Sequence, residues 1–282
     1  MGHLAPDLLA GRRVLITGGG TGLGLGLAHR FASLGASLVL CGRRLPVLEA
    51  AATEIRARTA SAEVAVHRCD VGDPAAVDAL MDAIWASGPL DVLVNNAAAN
   101  FIAQTHALSH RATDAILRTS LHGPLYCTMA AGRRWIDAGR GGAVLSILST
   151  STLTGRAFTT ASAMAKSGVL AMTRSLAVEW GPRNIRLTAI APGSFPTEAT
   201  RRQLGLDQRA GAIAGRVPLG RHGSVEELAE LAAFMISDAG AFMTGEMVVL
   251  DGGAHLRSSG ADDLLAWSDA QWTAHRDRTR KS

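Results

Sequence analysis

Eight residues near the start of the chain, Thr17-Gly-Gly-Gly-Thr-Gly-Leu-Gly24, constrain its fold more than any other stretch. They follow the apolar run Val14-Leu-Ile-Thr17, which reads as a strand, and they open a helical pattern over residues 22–34. Glycines at such a strand-to-helix junction permit a tight turn and a close backbone approach to a ligand. The helix start adds unpaired N–H groups and the positive end of its dipole, which together favour a phosphate. Strand, turn and helix in this order point to a nucleotide pyrophosphate held at Gly18, Thr21, Gly22, Leu23 and Gly24.

The strand–helix unit then repeats. Strands are predicted at 37–41, 64–67, 91–94, 143–148, 185–190 and 247–250, and helices at 45–58, 74–85, 111–118, 123–136, 161–180 and 224–237. Ser224 followed by Glu227 is a capping-box pattern at the start of the last of these helices. Such alternation predicts an α/β fold: a single-domain, Rossmann-type, doubly wound, seven-stranded parallel sheet with helices on both faces. No linker interrupts residues 1–254. Residues 255–282 read as a helical extension around Leu264, Leu265, Trp267 and Trp272, ending in a basic tail.

Composition narrows the classes further. Hydrophobic residues make up 48% and charged residues 18%, enough for a large core and incompatible with a disordered chain. The net charge is +4, and most of it sits in the tail, where Arg276, Arg278, Arg280 and Lys281 face only Asp277. The body is therefore near neutral, and no nucleic-acid partner is expected. Cys41, Cys69 and Cys127 form no C-x-x-C spacing, and the nine histidines form no ligand cluster, so neither disulfides nor a metal are expected. No leader, lipidation signal at Met1-Gly2 or membrane-spanning run is apparent, which suggests a cytoplasmic protein without a membrane partner.

The second strand ends in Cys41-Gly-Arg-Arg44. A dinucleotide with a free ribose 2′-hydroxyl is usually met here by an acidic residue, and none is present. Arg43 and Arg44 suit a 2′-phosphate, because guanidinium groups bind phosphate in a fork. The expected cofactor is therefore NADP(H), with Asp70 after the third strand near its adenine.

Together these residues resemble the short-chain dehydrogenase/reductase family. The T-G-x-x-x-G-x-G turn, Asp70-Val71, Asn95-Asn96-Ala97, Lys166, Pro192-Gly193 with Thr197, and Asp251-Gly252-Gly253 stand in the family order. The resemblance adds Val71, Asn96, Ala97, Lys166, Pro192, Gly193 and Thr197 to the cofactor site. It also implies a homo-oligomer, expected to be a tetramer, paired through the helices at 123–136 and 161–180. Two departures stand out. The family's usual tyrosine, four residues before the lysine, is Ser162 here, and the usual helix asparagine falls in the stretch Ser120-Leu-His-Gly123. The one tyrosine of the chain, Tyr126, lies too early to substitute.

Both departures are similar to one branch, the 2,4-dienoyl-CoA reductases, which also carry serine before the lysine. That branch has Asn-Asn-Ala-Ala-x-Asn-Phe-Ile, found here at residues 95–102, and its working asparagine matches Asn100. The branch's alternative tyrosine, in the loop after the fifth strand, matches Ser151. The candidate catalytic set is thus Asn100, Ser149, Ser151, Ser162 and Lys166. Ser162 and Lys166 share one helix face, and Ser149 and Ser151 share one side of the chain if the strand stays extended through them.

A serine is too weak an acid to replace a tyrosine in ketone reduction. Reduction of a conjugated thioester differs, since charge builds on an enolate oxygen that neutral donors can stabilise. The leading expectation is an NADPH-dependent reductase of an enoyl or 2,4-dienoyl thioester, its substrate a small molecule. A lyase or isomerase on the same scaffold, or a non-catalytic NADP-binding protein, stays open.

Overall fold

The computed structural model describes residues 4–100, 102–198, 215–257 and 262–279. Phe101 of the asparagine motif, Met1-Gly2, and Arg280 and Lys281 of the tail lie outside the described residues.

Seven parallel strands form one sheet in the order β3-β2-β1-β4-β5-β6-β7. These are β1 (Arg13–Thr17), β2 (Ser37–Gly42), β3 (Val64–Arg68), β4 (Val92–Asn95), β5 (Gly142–Ile147), β6 (Ile185–Pro192) and β7 (Met247–Leu250). The main helices are α1 (Gly22–Ser33), α2 (Leu45–Arg58), α3 (Pro74–Ala86), α4 (His110–Leu117), α5 (Gly123–Asp137), α6 (Ser151–Thr154), α7 (Thr160–Trp180), α8 (Val225–Ile236) and α9 (Asp269–Thr279). The predicted doubly wound, seven-stranded architecture is the one found.

Both faces of the sheet are covered, so its strands are apolar without alternation. On β1, Val14 and Ile16 pack with Leu27 and Phe31 of α1 and with Leu228 and Ala232 of α8. Leu15, between them, packs on the opposite face with Ile84 of α3 and Trp135 of α5. Trp135 is fully buried, and its indole N–H donates to Leu90 O at 2.6 Å, so the largest core side chain carries no unpaired donor. Local signals set the helix starts. Asp73 caps α3 by accepting from Ala75 N–H, with Pro74 in the first turn. Ser224 and Glu227 form the predicted capping box on α8.

Two elements depart from the sequence reading. The chain after β5 turns at once into the short helix α6. Between α4 and α5, residues Arg118–His122 form a π-helical segment. Beyond β7 lie a 3₁₀ turn, Asp262–Ala266, and α9, with Trp267, Trp272 and His275 in mutual ring contact.

The glycine turn depends on close packing. Gly18 and Gly22 have φ of +65° and +57°, which L side chains rarely adopt. Gly24 has no such φ, but a Cβ there would come within 2.4 Å of Gly18 O and 2.5 Å of Asn96 Nδ2. Gly24→Ala is therefore expected to cost about 1–3 kcal/mol and to weaken nucleotide binding. Gly181→Ala, where a Cβ meets nothing within 4 Å, should leave stability unchanged or raised, and thermal melts of the two variants check the contrast.

Candidate active site

The strand order reverses direction between β1 and β4, and a crevice opens there at the strand C-terminal ends. The cleft has a volume of about 390 Å³. Of the residues expected to hold a nucleotide, Gly18, Thr21, Gly22, Leu23, Arg43, Arg44, Asp70, Val71, Asn96, Ala97, Lys166, Pro192 and Thr197 line it. Gly24 and Gly193 do not. Gly24 lets α1 approach the turn, and Gly193 lies so close to Asp251 that a Cβ would reach its Cβ at 2.4 Å. Sequence reasoning missed Val47, Leu48, Cys69, Thr119, Leu148 and Phe195, which also line the cleft. Leu148 could have been inferred from its place just after a strand. The others carry no motif and reach the cleft through packing.

The turn is pinned to β4 by a small polar network. The Thr17 hydroxyl, buried in the sheet, accepts from the N–H groups of Asn96 and Ala97, both at 3.0 Å, and donates to Val94 O at 3.2 Å. The Asn96 amide donates to Thr17 O at 2.9 Å and Gly18 O at 3.2 Å. Asp70 accepts from Gly72 N–H at 3.1 Å. Arg43 and Arg44 are exposed on the rim and make no ion pair among the described residues. Two uncommitted guanidinium groups beside a helix N-terminus are the donor set a dinucleotide phosphate requires.

Lys166 is buried on α7, and its Nζ donates to Ile147 O at 2.6 Å. Burial lowers its pKa to about 8. Ser162 lies one turn earlier on the same helix, buried. Asn100, half-buried, stands two residues beyond the cleft-lining Ala98, and its Oδ1 is buried without a hydrogen-bond partner. Lys166 thus lines the cleft itself, whereas Asn100, Ser149, Ser151 and Ser162 flank it.

The expected shared orientation of Ser149 and Ser151 is corrected. Strand β5 ends at Ile147, and Thr150 is helical at φ −58°, ψ −16°. Ser149 Oγ accepts from Ser151 N–H at 3.2 Å, and Ser149 O accepts from the Thr152 hydroxyl at 2.8 Å. A serine at a strand end has captured the backbone N–H two residues on, which curls the chain into α6 and buries Ser151. Tyr126 packs on α5 beside His122 and is not part of the cleft lining. Among the described residues, no group of His, Cys, Asp and Glu could hold a metal ion, and no helix is long and apolar enough to cross a membrane. The three cysteines are buried and unpaired with one another.

A parallel α/β sheet with a glycine turn at its switch point and a buried lysine lining the same cleft defines a Rossmann-type nucleotide-dependent enzyme. The family model described as Enoyl-(Acyl carrier protein) reductase matches residues 18–255. A probable 2,4-dienoyl-CoA reductase of Bacillus subtilis is 40% identical over 248 residues, covering 87% of this chain and 97% of that protein. A crystal structure of a short chain dehydrogenase from Bacillus anthracis superposes with a TM-score of 0.81 at 36% identity, covering 90% of this chain and all (100%) of that one. A putative 2-deoxy-D-gluconate 3-dehydrogenase of Agrobacterium tumefaciens, solved with bound NADP, gives a TM-score of 0.82 at 32% identity, with coverage of 90% and 100%. The chain belongs to the short-chain dehydrogenase/reductase family and is an oxidoreductase.

The lowered pKa of Lys166 has a sign that can be tested. Below pH 8 the free protein carries the ammonium, which attracts an anionic nucleotide, and above pH 8 it does not. Nucleotide affinity should therefore fall as pH rises through about 8, by roughly fivefold for the loss of charge from one hydrogen bond. Lys166→Arg, which stays charged, should flatten that limb in fluorescence titrations between pH 7 and 9. Because the folded pKa lies below the ordinary value of 10.5, the unfolded chain holds the extra proton between the two values, and stability should rise with pH across that window.

Proposed function

We propose that the protein is an NADPH-dependent reductase of a conjugated enoyl or 2,4-dienoyl thioester. The carrying observation is the composition of the site: a buried lysine in the cleft, a half-buried asparagine beside it, and no tyrosine in the cleft lining. The similarity to a probable 2,4-dienoyl-CoA reductase of Bacillus subtilis and to a relative solved with NADP supports this reading.

When bound, NADPH would supply a hydride for the far carbon of the conjugated system. The pyrophosphate would rest on the Gly18–Gly22 turn, with Thr21 and Leu23 on either side of its last glycine. Arg43 and Arg44 would grip the 2′-phosphate, and Asp70 and Val71 would bound the adenine. Lys166 would bind the nicotinamide ribose, while Ala97, Pro192 and Thr197 bound the same end. The Asn100 amide would donate to the thioester oxygen as charge develops there, and Ser162 or Ser149 would offer a second neutral donor. Donors placed in advance, in a site shielded from water, stabilise an enolate without giving up a proton. Water then protonates carbon, which removes the need for a tyrosine. Ser151 is folded into α6 and plays a lesser part. We further assign residues 1–254 as one catalytic domain, 255–282 as an appendage, the cytoplasm as location and a homotetramer as assembly. Apolar side chains left exposed on α5 and α7, Met129, Met164 and Val178, fit that assembly.

NADPH should bind more tightly than NADH. Replacing Arg43 and Arg44 together by Ala should erase the difference, a loss of about 2–4 kcal/mol for two charge-assisted contacts. Calorimetric titration with both nucleotides decides the point, and equal affinity in the unmodified protein contradicts it.

Asn100→Ala should lower kcat for dienoyl-thioester reduction by roughly 10²–10³, the range for one oxyanion donor, with little change in nucleotide affinity. NADPH absorbance against 2,4-dienoyl-CoA substrates provides the assay. Full activity in that variant would replace this mechanism by one in which the nucleotide serves as scaffold for an isomerase or lyase.

A further inference from the structure

Ser120 stands where the family's helix asparagine is missing, and the structure gives it a specific task. It sits in the middle of the π-helical segment Arg118–His122 and is completely buried. Its hydroxyl accepts from Ala99 N–H at 2.9 Å and donates to Ala99 O at 3.0 Å. One side chain thus satisfies both backbone groups of a single residue 21 positions away. That residue immediately precedes Asn100.

The segment that carries Ser120 is itself anchored at its N-terminal end. Thr119 lines the nucleotide cleft. Arg118 Nε donates to Gly72 O at 2.9 Å, and its guanidinium stands 3.8 Å from Asp70. π-Helical turns insert an extra residue into a helix and cluster at functional sites. Here the wider turn lies where α4 passes into α5, and its central hydroxyl reaches the β4 loop. The loop at Ala99 has no helix or strand of its own to fix it. An irregular segment gains its rigidity from such side-chain bonds to backbone groups.

We propose that Ser120 is a positioning residue for Asn100, fixing through Ala99 the direction in which the carboxamide is presented to the substrate. This rests on the reading of Asn100 as the donor to the thioester oxygen. If Ser120 merely satisfied buried backbone groups, its removal would lower stability and leave the contribution of Asn100 intact.

A double-mutant cycle separates the two roles. The variants are Ser120→Ala, Asn100→Ala and both together, assayed for NADPH-dependent reduction of 2,4-hexadienoyl-CoA. Ser120→Ala is expected to lower kcat by roughly 10- to 100-fold, part of what loss of an oxyanion donor costs, with the nucleotide Kd within about twofold. In the Asn100→Ala background the same change should lower kcat by less than about twofold. Equal losses in both backgrounds, or no loss in the unmodified protein, would overturn the proposal. Ser120→Cys, which keeps the size and a weaker donor, should give an intermediate kcat and covers the case in which Ser120→Ala does not fold.

A second readout does not need activity. The side-chain amide protons of Asn100, assigned in ¹⁵N spectra of the NADPH complex, should give one sharp pair that broadens or shifts in Ser120→Cys. An unchanged pair refutes positioning even if Asn100→Ala retains full turnover. If instead the pair changes while Asn100→Ala is fully active, Ser120 orients Asn100 and only the catalytic reading of Asn100 is lost.

Discussion

The pin between the first and fourth strands is what the rest of the site depends on. Parallel strands twist apart beyond their last ladder bond, and here Ile16 and Val94 are the last registered pair between β1 and β4. Without a further tie, the glycine turn and the asparagine loop would separate freely. Thr17 and Asn96 supply five hydrogen bonds across that gap, and both partners are engaged at backbone and side chain. A satisfied polar network in a low-dielectric setting is strong and directional. It fixes the start of the glycine turn, the proposed phosphate site, against β4 before any ligand arrives. It also explains why Gly24 bears no side chain: a Cβ would strike Gly18 O and the Asn96 amide at once.

The two sides of the crevice are built on different principles. The nucleotide side is mostly backbone and glycine on rigid strand ends, with Arg43 and Arg44 exposed on the rim. The other side, where the proposed substrate would lie, draws on side chains delivered by loops and helices: Asn100 beyond β4, Ser149 beyond β5 and Ser162 on α7 flank the cleft, and Lys166 on α7 lines it. Lys166 is tied to the end of β5 through Ile147 O, which registers the helix against the sheet there. Burying an amine there lowers its pKa to about 8, so it stays protonated at neutral pH yet is sensitive to a modest rise in pH and to a bound anion. No acidic tyrosine accompanies it, and the chemistry assigned to the site needs only hydrogen-bond donors.

Much of this was legible in the sequence. The strand–helix alternation, the glycine turn and the arginine pair are local signals, because each depends on neighbours within a few residues. The helix at Leu45–Arg58 and the strand at Met247–Leu250 have the predicted bounds for that reason. The capping box at Ser224 is local in the same sense. At Ser149 and Ser151 the strand pattern does not show that a serine hydroxyl will seize the next N–H but one. The π-helical segment differs from an α-helix by one residue and leaves no period of its own in the sequence.

The sequence by itself determined the parallel sheet, the position of the phosphate turn and the identity of the groups available for chemistry. Those follow from periodicity, glycine placement and side-chain type. Only the tertiary structure decided which of those groups meet. Ser120 and Ala99 are joined across 21 residues, Lys166 and Ile147 across 19, and Thr17 and Asn96 across 79. No local pattern encodes such pairs, since each arises when strands and helices from distant parts of the chain come to lie side by side and buried polar groups must find partners.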